Sequence, residues 1–118
     1  MKIELITSQS TPTELIVLPV AGGANGTLTP ETKEGVLEID RVTNGQLSKA
    51  LKRLDFKVEG ENRQELTVTT KDGALQTVLV AAVSRETGID SWRKLGAAAV
   101  RTALKNKAAA IQISLRSV

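Results

Sequence analysis

The sequence predicts a single α/β domain with a mixed, mostly parallel sheet flanked by helices. Its 118 residues suit one domain. Residues 75–83 form an almost continuous apolar run, as expected for a strand that is covered on both faces. A helical pattern follows from about residue 91 to residue 106, and a second short apolar run spans residues 109–115. A strand joined to another strand through such a helix is typical of a right-handed β-α-β unit with parallel strands.

The N-terminal part of the chain supplies three further strands in this interpretation. Lys2–Ile6 alternates polar and apolar residues, and Glu14–Val20 is a second, buried strand. Residues 65–70 alternate in the same way, which predicts a strand with one solvent face. Lys71-Asp72-Gly73 is then expected to form a turn, and its Asp72-Gly73 dipeptide predicts a tight hairpin into the central strand.

Two helices are expected before this hairpin. Pro30 can begin the first one with Thr29 as its cap, although residues 36–39 fit either a helix or a short extended piece. Thr43 or Asn44 is expected to cap the second helix. The residues expected on its buried face follow i, i+3, i+4, i+7 spacing: Leu47, Ala50, Leu51 and Leu54.

The helix after the central strand has its own signals, beginning with Asp90 as the predicted N-cap. Gly96 is expected to allow the helix backbone to approach the sheet closely. The exposed side is expected to carry Lys94, Arg101 and Lys105. The predicted buried stripe consists of Trp92, Leu95, Gly96, Ala99, Val100 and Ala103.

The composition excludes several kinds of chemistry. The chain has no Cys and no His, which removes disulfides, thiolate catalysis, imidazole acid–base catalysis and the common zinc sites. Its carboxylates are scattered, so no catalytic or metal-binding residue is expected. No apolar run approaches the roughly 20 residues of a membrane span, and the N-terminus lacks a signal-peptide core. We therefore expect no membrane partner and a cytoplasmic location.

Positive charge is concentrated in the C-terminal third. Residues 1–84 contain 9 Lys/Arg and 11 Asp/Glu, whereas residues 85–118 contain 7 Lys/Arg and 2 Asp/Glu. One interpretation is a helix face that contacts DNA, and the other is an ordinary solvated face. The residues of the possible nucleic-acid contact are Arg93, Lys94, Arg101, Lys105 and Lys107.

A glycine-rich turn, residues 21–26, follows the second strand. Such turns can hold phosphate groups in α/β folds, so Gly22, Gly23, Asn25 and Gly26 form a possible ligand loop. The turn lacks both the G-x-G-x-x-G spacing and the Gly-Lys-Ser/Thr of a P-loop. An ordinary surface loop is therefore the alternative interpretation.

Four segments resemble the N-terminal domain of the leucyl aminopeptidase (cytosol aminopeptidase) family. They are the strand at residues 15–20, the helix and Asp-Phe-Lys loop at 45–57, the central strand at 78–83 and the helix at 92–100. The last segment, with its Arg-Lys-x-Gly-Ala-Ala-Ala pattern, is the most specific. Together the four segments extend the likeness over nearly the whole chain.

The resemblance implies a macro-domain-like fold and a role without catalysis. In that family the dinuclear metal site and the hydrolysing residues lie in a C-terminal catalytic domain, whose Asn-Thr-Asp-Ala-Glu-Gly-Arg signature is absent here. Residues 1–118 are thus expected to be a non-catalytic N-terminal domain without a cofactor. The parent protein would be a leucyl aminopeptidase that uses two divalent metals, Zn²⁺ or Mn²⁺, to remove N-terminal amino acids.

The same resemblance implies the partners. They are the parent's own catalytic domain, the sister subunits of a hexamer and, in some bacterial members, DNA. Three hypotheses follow: an accessory domain that supports assembly, a DNA-binding module that uses the basic 93–107 helix face, and a macro-domain-type binder of a small ligand at residues 21–26.

Overall fold

A five-stranded sheet lies at the centre of the fold. The computed structural model describes residues 2–6, 15–22, 34–58, 62–84 and 89–114. The elements are β1 (Lys2–Ile6), β2 (Leu15–Gly22), α1 (Glu34–Thr43), α2 (Gln46–Arg53), β3 (Arg63–Thr69), β4 (Leu75–Ser84), α3 (Ile89–Lys105) and β5 (Ala110–Ser114). The strand order is β1-β5-β2-β4-β3, and all neighbours are parallel except the β3–β4 pair. The predicted α/β class with a mixed, mostly parallel sheet is confirmed.

Helices cover both faces of this sheet. On one face α1 and α2 close a core that includes Ile16, Leu18 and Val80. On the other face α3 closes a core that includes Val17, Leu79 and a set of alanines: Ala98, Ala99 and Ala103. Because β2 and β4 lie inside the sheet and send alternate residues to the two cores, their sequences read as continuous apolar runs.

A side chain from the preceding helix caps α2. Thr43 is the last residue of α1, and its hydroxyl donates back to the α1 backbone at 2.8 Å. Gly45 precedes α2 with a φ of 77° and no side-chain cap, whereas the Asp40 carboxylate accepts from the Ser48 amide at 3.0 Å and from its hydroxyl. The predicted capping by Thr43 or Asn44 is therefore wrong, because Asp40 already satisfies the first turn of α2.

The α1–α2 pair follows the predicted spacing only in part. Residues 36–39 are helical, so the extended alternative is wrong, while the predicted helix start at residues 29–30 lies outside the described residues. Leu47 and Leu51 are fully buried. Leu54, the first residue after α2, is 50% exposed, so its predicted burial is wrong.

The β3–β4 hairpin has the tight turn that the sequence predicts. The Thr70 amide donates to the Ala74 carbonyl oxygen at 2.8 Å, which leaves three residues in the loop. Gly73 takes the last of these positions with a φ of 89°. The predicted turn at Lys71-Asp72-Gly73 is confirmed as a three-residue loop with glycine in the left-handed region.

The third helix, α3, begins earlier than predicted, and of the predicted buried stripe it buries Leu95, Ala99 and Ala103 but not the whole. It starts at Ile89, so Asp90 lies in its first turn and not at the N-cap, and the Asp90 carboxylate lies 3.9 Å from the Arg93 guanidinium. Trp92 and Val100, which were expected to be buried, are 38% and 37% exposed. The residues that α3 does bury are Ser91, Leu95, Ala98, Ala99, Thr102 and Ala103.

Gly96 does not approach the sheet closely, so that prediction is also wrong. A Cβ placed on Gly96 would have no neighbour within 4 Å. We expect Gly96→Ala to raise the free energy of unfolding by about 0.5–1 kcal/mol, because alanine loses less backbone entropy in a helix. Urea denaturation measures this change, and a loss of stability would contradict it. Gly73→Ala is the matched control and should destabilise, since its φ of 89° strains any residue with a side chain.

Candidate functional site

The five cations of the predicted nucleic-acid contact are all exposed, as expected, but they do not form one face. Lys94, Arg101 and Lys105 share one flank of α3, because steps of seven and four residues return to nearly the same side of a helix. Arg93 lies roughly a quarter turn away from this flank. Lys107 follows the helix, in a turn where its φ is 56°. Only three of the five cations are therefore aligned.

These three cations border the outermost strand, β3. The Arg63 guanidinium donates to the Lys94 carbonyl oxygen at 3.5 Å. The Lys105 ammonium lies 2.6 Å from a carboxylate oxygen of Glu65. Between the helix and the strand lies an open depression of about 330 Å³, and Arg63, Arg101 and Lys105 are among its lining residues. We refer to Arg63, Lys94, Arg101 and Lys105 as the cationic flank.

Glu65 neutralises part of the cationic flank. Its carboxylate accepts from the Lys105 ammonium at 2.6 Å and from the Asn106 side-chain amide at 3.3 Å. The hydrogen bond from Lys105 is the main cause that holds the pKa of Glu65 below its ordinary value of 4.5, and it outweighs the opposing effect of desolvation. Glu65 is therefore charged at neutral pH, and it neutralises Lys105 within the cationic flank.

Glu65→Gln is expected to lower the free energy of unfolding at neutral pH by less than about 1 kcal/mol, because Lys105 is largely exposed. A carboxyl group with a lowered folded-state pKa contributes stability above its unfolded pKa and loses it as the pH falls through the folded value. The stability difference between wild type and variant should thus shrink once the pH falls below 4.5. Urea denaturation across this range measures it.

The control for this prediction is the double variant with Lys105→Met. It should be no less stable than Glu65→Gln alone, because the same ion pair is lost in both. A stability difference that stays constant as the pH falls would contradict the assignment of the effect to the Glu65 carboxylate.

The solvent side of α3 is unexpectedly apolar. Ile89, Trp92, Val100 and Leu104 are 75%, 38%, 37% and 65% exposed, and they make up half of the eight exposed large apolar side chains among the described residues. With Gly96 between them, they follow helical spacing along a line about 22 Å long. We call these four residues the outer stripe. Exposed apolar patches of this kind are typical of protein-contact surfaces.

The spacing of apolar residues in α3 did not reveal the outer stripe, because it placed Trp92 and Val100 on the buried face. A usable signal is nevertheless present in the sequence. Ile89 and Leu104 lie outside the predicted buried stripe, so α3 has more large apolar residues than one buried face can take up. Such a pattern is typical of a helix that presents a second apolar face.

The possible ligand loop is described at one residue only. Gly22 ends β2 and pairs with Ser84 at the end of β4, at the carboxyl ends of two adjacent parallel strands. Gly23, Asn25 and Gly26 lie outside the described residues. The ligand loop therefore stays a prediction.

The described part of the chain contains neither a cluster of metal-binding side chains nor a helix that could span a membrane. Residues 2–6, 15–22, 34–58, 62–84 and 89–114 contain no group of three or more His, Cys, Asp or Glu side chains that could hold a metal ion. Within the same ranges no helix has the length and apolar character needed to cross a membrane.

Comparison of the chain with protein-family models and with curated proteins found no match. The resemblance to the aminopeptidase family accordingly rests on the four sequence segments named above.

Proposed function

We propose that this chain is a non-catalytic accessory domain of a leucyl aminopeptidase and that it supports assembly of the parent protein in the cytoplasm. Its partners in this proposal are the parent's catalytic domain and sister subunits. The outer stripe is the observation that carries the proposal. Full burial of a Leu or Ile side chain contributes roughly 1.5–3 kcal/mol, so four apolar residues aligned on one helix side can drive association. The most specific segment of the resemblance, residues 92–100, lies in the same helix.

An aminopeptidase assay tests the catalytic half of the proposal. The purified 118-residue chain should not hydrolyse leucine p-nitroanilide, even with added Zn²⁺ or Mn²⁺. The protein translated from the reading frame that continues past Val118 should hydrolyse it once the metal is supplied. Metal-dependent turnover by the 118-residue chain would contradict the proposal, and so would a continuing frame without a metal-binding domain.

We do not extend the proposal to DNA binding, which stays a prediction. The five cations expected to act together are divided between three surfaces, and Glu65 already pairs with Lys105. Duplex DNA binds through many phosphate contacts at once, and its affinity falls steeply with salt concentration. The three aligned cations, of which Lys105 is paired with Glu65, supply few such contacts.

A further inference from the structure

In the outer strand β3, some backbone amide and carbonyl groups point away from the sheet. The Thr70 amide donates to the Ala74 carbonyl oxygen, and the Ala82 amide donates to the Asn62 carbonyl oxygen. These two bonds bracket the strand, and hydrogen bonding alternates along an antiparallel pair. Even-numbered residues from 62 to 70 therefore bond toward β4. The residues whose amide and carbonyl groups point outward are Arg63, Glu65, Thr67 and Thr69.

A side chain already imitates a neighbouring strand at one end of this edge. The Gln46 side-chain amide donates to the Thr69 carbonyl oxygen at 2.7 Å, and its oxygen accepts from the Thr69 amide at 3.1 Å. An adjacent antiparallel strand would make the same pair of bonds. Between Arg63 and Thr67 no further strand lies beside β3 in the described part of the chain. The Glu65 carbonyl oxygen receives only a long bond of 3.4 Å from a side chain.

Cations lie on both sides of the open edge. On the α3 side, the depression of about 330 Å³ is lined by Arg63, Arg101 and Lys105 against a single carboxylate. On the α2 side, a second depression of about 550 Å³ is lined by Lys49 and Arg53, with no Asp or Glu among its lining residues. A strand placed beside β3 would therefore have positive charge above and below it.

We infer that the β3 edge from Arg63 to Thr67 binds an extended acidic peptide segment as a sixth strand. The backbone of the peptide pairs with the outward amide and carbonyl groups, as in other cases of strand addition. Its successive side chains point to opposite faces, so alternate carboxylates reach Arg101 on one side and Lys49 or Arg53 on the other. The site lies on a different surface from the outer stripe and does not depend on the proposed accessory role.

Charge complementarity selects this occupant over the alternatives. A second copy of the chain paired edge to edge would bring two sets of cations together, and like charges in contact oppose association. A neutral apolar strand would leave the cations unpaired. Duplex DNA requires a continuous positive surface, whereas here an exposed strand separates the two groups of cations.

Fluorescence anisotropy with a labelled probe tests the inference. The probe is a peptide of about seven residues with the pattern Val-Glu-Glu-Val-Glu-Glu-Val, which places Glu on both faces of a strand, and the matched probe has Gln in place of Glu. Binding of the Glu probe should be at least about tenfold tighter than binding of the Gln probe. Arg53→Glu and Arg101→Glu should each weaken binding of the Glu probe at least about fivefold. Both residues are exposed, so the two variants should keep the fold. Arg93→Glu, which changes an exposed arginine on another side of α3, should leave the affinity unchanged.

A backbone-modified probe separates strand addition from simple charge attraction. The same Glu/Val peptide with N-methyl groups on its Glu residues keeps its charge but has lost amide donors on both edges of the strand, so its affinity should fall at least about tenfold. Equal binding of the methylated and unmethylated probes would overturn the inference. Displacement of the peptide by duplex DNA at lower concentration, or edge-to-edge self-association of the chain, would overturn it as well.

Discussion

Leu51→Ala should lower the free energy of unfolding by about 2–5 kcal/mol, whereas Leu54→Ala should lower it by less than about 1 kcal/mol. Leu51 is fully buried between α2 and the sheet, and Leu54, three residues later, is 50% exposed. Truncation of Leu51 removes buried apolar surface and leaves a cavity in the core. Truncation of Leu54 removes a side chain that is already half in water. Urea denaturation followed by circular dichroism measures both losses.

The comparison of Leu51 with Leu54 also tests the orientation of α2. The i, i+3, i+4, i+7 spacing predicts that both leucines are buried, while the structure ends α2 at Arg53 and exposes the second leucine. Equal losses of several kcal/mol in the two variants would contradict the structure and support a longer helix with both leucines inside.

Leu104→Glu should weaken assembly of the parent protein strongly, with the dissociation constant raised at least about tenfold. Leu104 is 65% exposed in the chain, so the substitution should leave its folding stability nearly unchanged. In the assembled protein the new carboxylate would be buried against an apolar partner without a compensating charge. Sedimentation velocity of the parent protein and of the variant measures the shift toward smaller species.

Leu54→Glu is the control for the assembly prediction. Leu54 is similarly exposed, at 50%, but it lies with α2 on the opposite face of the sheet from the outer stripe. Its substitution should leave the assembly unchanged. If both glutamates disrupt assembly, or if neither does, the outer stripe is not the contact surface.

The central strands could be predicted from the sequence because their environment is symmetrical. Both β2 and β4 are buried on their two faces, so nearly every residue is apolar and no choice of face is needed. The strand order could not be predicted in this way, since the position of β3 at the edge depends on how the whole sheet assembles. The alternation in residues 65–70 predicts a strand with one exposed face but not an exposed edge.

The orientation of α3 could not be predicted, because apolar residues occur around most of its circumference. The helix buries Ser91 and Thr102, whose short side chains can bond to a helix backbone and so do not forbid burial. It exposes Ile89 and Leu104 instead. Lys94, Arg101 and Lys105 were expected to be exposed on one side of α3, and they are. Arg93 lies away from that flank, as the geometry of the helix requires.

The cap of α2 is a second feature that could not be predicted from the sequence. Asp40 lies eight residues before Ser48, in another helix, and it reaches Ser48 only because α1 and α2 fold back on each other. Local capping rules consider residues next to the helix start, so they favoured Thr43 and Asn44.

Trp92 provides the most direct test of the outer stripe, because it is the single tryptophan of the chain and is 38% exposed within that stripe. The chain can be produced with 5-fluorotryptophan and titrated with the unlabelled remainder of the parent protein, with the fluorine resonance recorded at each step. The accessory-domain proposal predicts that this resonance shifts and that it loses its sensitivity to replacement of H₂O by D₂O as the complex forms. An unchanged, solvent-sensitive resonance at saturating partner would contradict it.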